Sequence, residues 1–234
     1  MTRELVYGRR PVREVLRGRR LTIEVWASER ALDAEPWLRD APRLELKPER
    51  ELSQAAATRE HQGVIAWAEP YRYADAWELA AEQDALLVCL DQVSDPRNLG
   101  AVCRSVEGAG ATGVVLPAHG SATVTPAVVK ASAGAVEHVP VAVVPNLARF
   151  LQEIKRDDLW IYGAAGDAPQ TLWQVDLRGG LVFVLGAEGR GLRPLVRRRC
   201  DALISIPLAG EVASLNVSAA AAVLLFEAKR QRSE

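Results

Sequence analysis

A chain of 234 residues, 49% hydrophobic and 25% charged, has the composition of a globular protein, with room for one large domain or a small one plus a medium one. It holds no run of about 20 apolar residues, which excludes a transmembrane helix, and its first residues, MTRELVYGRRPVREVLRGRR, lack the apolar core of a signal peptide. The net charge of −1 hides two basic clusters: seven arginines against two glutamates in residues 1–20, and five arginines in GRGLRPLVRRRC (189–200). Such patches suit a polyanion partner, although solvated helix faces would account equally well for the charge alone.

In chain order, GRRPVREVLRGR has helical spacing at Val12, Val15 and Leu16, TIEVWAS alternates as a strand, ERELSQAAAT reads as a helix and GVIAWAE as a strand. These make a small α/β unit over residues 1–72. The stretch PYRYADAWELAAEQD shows no clear core face and reads as a linker, 73–83, running into a short helix. From residue 84 to 234 six short apolar runs recur: ALLVCL, GVVLP, VPVAVV, LWIYGAA, LVFVLG and ALISIP. Helical segments separate most of them, so an α/β domain with a parallel sheet covered on both faces is expected. Cys89, Cys103 and Cys200 form no CxxC pair, and His61, His119 and His138 stand at no metal-ligand spacing from them. No metal site is expected, and the cysteines read as reduced, mostly buried thiols of a cytoplasmic protein.

Ligands of open α/β sheets bind beyond the carboxyl ends of strands, and three such loops carry candidate residues. In LDQVSDPRNLGAVCRSVEGAG (90–110) a strand gives way to a helix beginning near Asn98, with Arg104 six residues on. Taken alone, these read as an N-cap and a surface arginine. In LVFVLGAEGRGLRP (181–194) three glycines in six residues allow a sharp turn and close backbone approach. The spacing is not that of a dinucleotide fingerprint, and Glu188 would repel a phosphate, which argues against a nucleotide-dependent oxidoreductase. In the third, a strand ending at Pro207 leads through Gly210 to Ser214, Leu215 and Asn216 and into a long helix. Either Ser214 or Asn216 would cap it, leaving the other for a ligand or for Arg104.

Together the three loops resemble the SpoU (TrmH-like) family of RNA ribose 2′-O-methyltransferases of the SPOUT superfamily. The likeness rests on N-x-G-x-x-x-R at Asn98 to Arg104, L-G-x-E-G-x-G-L at Leu185 to Leu192, and I-P-L-x-G-x-x-x-S-L-N-V-S at Ile206 to Ser218, with TPAVVKASAGAVEHVPV as a middle segment. The one departure is Leu208 where many members have Met. VYGRRPVREVL and REHQGVIAWA resemble the substrate-binding domain of the ribosomal-RNA branch, which is similar to a ribosomal protein.

The resemblance implies a mostly parallel SPOUT domain with helices on both faces and a C-terminal trefoil knot, preceded by a small α/β RNA-binding domain. It implies S-adenosylmethionine as methyl donor, a homodimer, and transfer to the ribose 2′-hydroxyl of a guanosine in 23S rRNA. A tRNA guanosine methyltransferase or a non-catalytic ribosome-assembly protein is the alternative. Catalytic roles map onto Asn98, Arg104, Glu188, Ser214 and Asn216, and donor binding onto Gly186, Ile206 and Leu215. RNA contacts fall to Arg9, Arg10, His61, Arg190 and Arg193. A guanidinium stays protonated, so Arg104 is expected to hold the ribose or its 3′-phosphate and stabilise the developing alkoxide, oriented by Asn98, Ser214 and Asn216.

Overall fold

The computed structural model describes residues 2–211 and 214–233. The chain packs into two units, residues 1–72 with 124–138, and residues 73–123 with 139–234.

The first unit begins with β1 (Glu4–Tyr7), α1 (Arg9–Arg17), β2 (Thr22–Ala27), α2 (Glu29–Ala34), β3 (Leu44–Leu46), α3 (Glu49–Ala56) and β4 (Val64–Ala68). Its sheet runs β1-β4-β2-β3, antiparallel except for the β2–β3 pair. Helix α1 buries Pro11, Val12 and Val15, a stripe at helical spacing. Three elements went unread in the sequence, β1, α2 and β3, each of six residues or fewer. Periods of 2 and 3.6 cannot be told apart over so few positions.

The chain continues through α4 (Ala76–Ala81), β5 (Leu86–Asp91), α5 (Pro96–Ala109) and β6 (Gly113–Pro117), all in the second unit. It then returns to the first unit with α6 (Pro126–Ala131) and a 3₁₀ turn at Ala135–Glu137. There Arg20 Nε donates to Glu137 Oε2 at 2.9 Å, a second guanidinium nitrogen bonds Glu137 Oε1, and Nη1 reaches Glu4 Oε2 at 2.8 Å. Arg20 and Glu137 are both buried. The second unit resumes with β7 (Val141–Val144), α7 (Leu147–Glu153), β8 (Leu159–Ala164), β9 (Gln170–Thr171), β10 (Gly180–Gly186), α8 (Pro194–Arg197), β11 (Ala202–Ser205) and α9 (Val217–Arg232).

All six apolar runs become strands of a seven-stranded, wholly parallel sheet in the order β7-β6-β5-β10-β8-β11-β9. One face, with Leu87, Cys89, Val115, Val182 and Val184, packs with Leu79 of α4 and Phe150 and Leu151 of α7. Alternation sends Val88, Leu90, Leu181 and Phe183 to the other face, where α5 and α9 pack on each other. The segment read as a linker contributes to this core: α4 buries Ala76, Leu79 and Ala80, and Asp75 caps it by accepting from Trp77 N at 2.8 Å and Glu78 N at 3.1 Å. Burial pushes the thiols of Cys103 and Cys200 up to about 12 and that of Cys89 further, so all three are protonated at neutral pH. The strand order reverses between β5 and β10, so the loops leaving those two strands face one crevice at their carboxyl ends.

Candidate active site

Each of the three loops delivers one polar side chain by a local device. At the end of β5, Asp95 caps α5, its Oδ1 accepting from Arg97 N at 2.7 Å, and Pro96 takes the first helical position, where no N–H is required. The helix thus starts before Asn98 and leaves that side chain free. At the end of β10 the loop folds back on itself, Gly191 N donating to Ala187 O at 2.9 Å. A Cβ on Gly186 would lie 2.1 Å from the carbonyl carbon of Gly191, so only glycine permits the closure that presents Glu188. At the start of α9 Asn216 is the cap: its Oδ1 accepts from Ser218 N at 2.9 Å and from Ser218 Oγ at 2.6 Å.

With its oxygen turned to the helix, Asn216 has its Nδ2 pointing away. That group donates to Glu188 Oε1 at 2.5 Å and to Asn98 Oδ1 at 3.0 Å, while Asn98 Nδ2 donates to the same Glu188 oxygen at 2.9 Å. Three side chains from three loops therefore close a triangle of hydrogen bonds in which each amide orientation is fixed by a neighbour. Two donors converge on Oε1. Charge-assisted bonds of this kind are the stronger class.

The triangle stands between two cavities. One, of about 280 Å³, is lined by the carboxyl ends of β8, β10 and β11 and by Ile206, Leu208, Ser214 and Leu215. Leu208 and Leu215 are exposed there, large apolar side chains facing open space. The other, of about 430 Å³, is lined by Gln92, Asp95, Asn98, Gly120 and Arg190. Ala187, Glu188 and Val217 border both.

Of the residues expected in a site, Asn98, Glu188 and Asn216 come together. Gly186, Ile206, Ser214 and Leu215 line the first cavity, and Arg190 lines the second. The rest of the third motif includes Val212 and Ala213, which lie outside the described residues. Arg104 is exposed on α5, with no hydrogen bond or ion pair among the described residues. The expectation that Asn98 and Asn216 orient it is corrected. Asn98 and Asn216 bond each other and Glu188 instead, and among the described residues neither bonds Arg104.

Two further expectations change. His61 is buried: Gly63 N donates to its Nδ1 at 3.0 Å, and its Nε2 meets Ser53 Oγ at 2.8 Å. Both ring nitrogens are spent inside the first unit, so it is a fold residue rather than an RNA contact. Arg193 is committed to Asp91, with Nε and Nη2 each 2.7 Å from Oδ1, and its backbone N donates to Oδ2 at 2.8 Å. Arg9 is half engaged, its Nε donating to Gln62 O at 3.1 Å, and Arg10 is exposed.

The sequence reading missed Asp91. This carboxylate, 1% exposed at the end of β5, pins the chain immediately after the Glu188 loop to the strand that leads to Asn98. The signal was available as an acid closing the wholly apolar run ALLVCLD.

Residues 85–226 match the SpoU rRNA Methylase family. The chain belongs to that family. Residues 5–74 of this SpoU methylase match a second family, RNA 2′-O ribose methyltransferase substrate binding. It is 41% identical, over 98% of its own length and 97% of the relative's, to the 23S rRNA (guanosine-2′-O-)-methyltransferase RlmB of Pseudomonas putida. It is 48% identical to RlmB of Escherichia coli K12 over 74% of its length and 73% of the relative's. Among solved structures, the SpoU methyltransferase AviRb from Streptomyces viridochromogenes in complex with AdoMet superposes with a TM-score of 0.81 at 25% identity, covering 98% of this chain and 90% of that one.

Proposed function

We propose that this SpoU methylase transfers a methyl group from S-adenosylmethionine to the ribose 2′-hydroxyl of a guanosine in 23S rRNA. The observation that carries the reading is the polar triangle of Asn98, Glu188 and Asn216, whose Glu188 borders both cavities. A transfer between two bound molecules needs two adjoining pockets with the reacting atoms meeting at their common border, and alignment of this kind is worth about 7–11 kcal/mol. The names of the relatives support rRNA guanosine as substrate.

The first cavity suits the donor. Its apolar walls, the half-buried Ile206 and the exposed Leu208 and Leu215, adjoin the backbone of the Gly186–Gly191 turn, matching a ligand with a flat apolar part and polar edges. Gly186, Ile206 and Leu215 would hold S-adenosylmethionine, which when bound supplies an activated methyl group. The second cavity takes the target nucleotide. The Oε2 of Glu188 has no partner among the described residues and borders both cavities, so it is placed to accept the hydrogen bond of the incoming 2′-hydroxyl. Asn98 and Asn216 hold the carboxylate still. Ser214 stands on the donor side. Arg104, without a partner among the described residues, takes the ribose or 3′-phosphate and stabilises the developing alkoxide. Arg9, Arg10 and Arg190 contribute phosphate contacts. The trefoil knot, the homodimer and a cytoplasmic location belong to the same proposal. Sedimentation of the purified protein tests the dimer, and among the described residues no helix is long and apolar enough to cross a membrane.

The deciding experiment incubates the purified protein with S-adenosylmethionine and transcripts of 23S rRNA and of tRNA, then maps ribose methylation by mass spectrometry. One 2′-O-methylguanosine in the 23S transcript is expected. Methylation confined to tRNA, or donor binding without transfer to any RNA, overturns the assignment.

A further inference from the structure

Residues 1–20 carry more positive charge than the proposed function has used. Within the first unit several of these arginines are spent: Arg3 on Glu24, Arg9 on Gln62 and Glu35, and Arg20 on Glu4 and Glu137. Arg13, Arg17 and Arg19 are exposed. Arg13 and Arg19 have no ion-pair or hydrogen-bond partner among the described residues, and Arg17 Nη1 stands 3.7 Å from Glu14 Oε1. All three border one groove of about 660 Å³ at the carboxyl end of α1.

The groove is not merely basic. Leu21, 65% exposed, is the most exposed large apolar residue in the described structure and lies on its wall. Trp37 also lines it. The indole N–H of Trp37 already donates to Glu35 Oε2 at 2.7 Å, so what the ring offers a ligand is aromatic surface. Thr22 lines the groove as well, nine-tenths buried, and its hydroxyl has no hydrogen-bond partner among the described residues. Buried hydroxyls are as a rule satisfied. Among the described residues the opposing charges are Asp40 in the lining and Glu14 beside Arg17.

We infer that this groove binds an unpaired nucleotide segment of the RNA substrate, the phosphates lying on Arg13, Arg17 and Arg19 and a base lying on Leu21 and Trp37. Guanidinium forks match phosphate oxygens, and base stacking on apolar and aromatic surface is how single-stranded RNA is held. An acidic peptide would satisfy the arginines but would leave the apolar wall without a use. His61 is not in its lining, and the site rests on the reading of this protein as an rRNA methyltransferase.

The test replaces the three arginines in the full-length protein, once as R13E/R17E/R19E and once as the neutral R13Q/R17Q/R19Q, with L21S as a separate variant. Binding of a 23S rRNA transcript is followed across a salt series, and methyl transfer is measured as KM and kcat for that RNA. Each lost single-strand phosphate contact removes about 0.7 from the slope of log affinity against log salt. The neutral variant is therefore expected to flatten the slope by about 2 and to raise KM at least tenfold with kcat at saturating RNA unchanged. L21S should raise KM without changing the slope. If wild-type protein binds and methylates the transcript while the neutral variant matches it in slope and KM, the groove is not an RNA site and the proposed function stands. A wild type that neither binds nor methylates RNA overturns both.

Discussion

Each unit of the protein buries one carboxylate against an arginine far away in the chain, and the two pairs serve different ends. In the first unit Arg20 and Glu137, 117 residues apart and both nearly inaccessible, fasten a late segment to the amino-terminal sheet. In the second, Asp91 and Arg193, 102 residues apart, tie the strand leading to Asn98 to the loop bearing Glu188. The first pair holds an element in place. The second holds the distance between two groups of the proposed site, where a small displacement would cost catalysis before it costs folding.

Breaking each pair separates these roles. Glu137→Ala leaves the buried Arg20 with only Glu4 and a backbone carbonyl. A loss of about 3–5 kcal/mol, seen as a much lower midpoint in urea unfolding, is expected, with turnover per folded molecule kept. Asp91→Asn keeps the shape and removes the charge. Stability should fall by about 1.5–3 kcal/mol, and kcat should fall further than the folded fraction does. A kcat that tracked the folded fraction would sink the claim that this pair positions Glu188.

Asn216→Asp isolates the triangle itself. Aspartate caps a helix as well as asparagine, so the melting temperature should barely move. It cannot donate to Glu188, and it sets a second carboxylate beside it. A tenfold to hundredfold loss in kcat, about 1.5–3 kcal/mol, is expected in single-turnover assays. Arg104→Lys should leave stability untouched, since Arg104 has no partner among the described residues, and should lower kcat about tenfold, because an ammonium lacks the planar fork. At the small end, Arg197 and Asp167 make a two-pronged pair at 3.0 Å on the surface. There Arg197 holds the Asp167 carboxyl below its usual range. Arg197→Gln should return that carboxyl to the ordinary range, by NMR titration, and leave the melting temperature unchanged, because solvent screens such a pair.

The parallel sheet was legible because strands buried on both faces are written as unbroken apolar runs, from ALLVCL to ALISIP. The candidate residues Asn98, Glu188 and Asn216, which the structure brings together, stood in motifs at fixed spacing in three loops. Their bonding was not legible. Glu188 lies 90 residues from Asn98, and Asn216 lies 118 from it, and nothing local says that two amides will face a carboxylate rather than an arginine. His61 was assigned to RNA from the resemblance of REHQGVIAWA, and only the fold shows that it turns inward. A short helix was expected where α4 lies, but its core face was not, because six residues give too few turns to show one.

The return of residues 124–138 to the first unit bears on how this protein can be divided. Val128, Val129 and Val136 are buried, and so is Glu137. A truncation that starts the chain at residue 73 would strip that segment of its cover, exposing three valines and leaving one acid without its arginine. The amino-terminal portion is therefore not a detachable module. A shortened protein that failed to act on RNA would report damage to the remaining chain as much as the loss of a binding surface, and point changes on the intact protein are the sounder way to ask what that portion does.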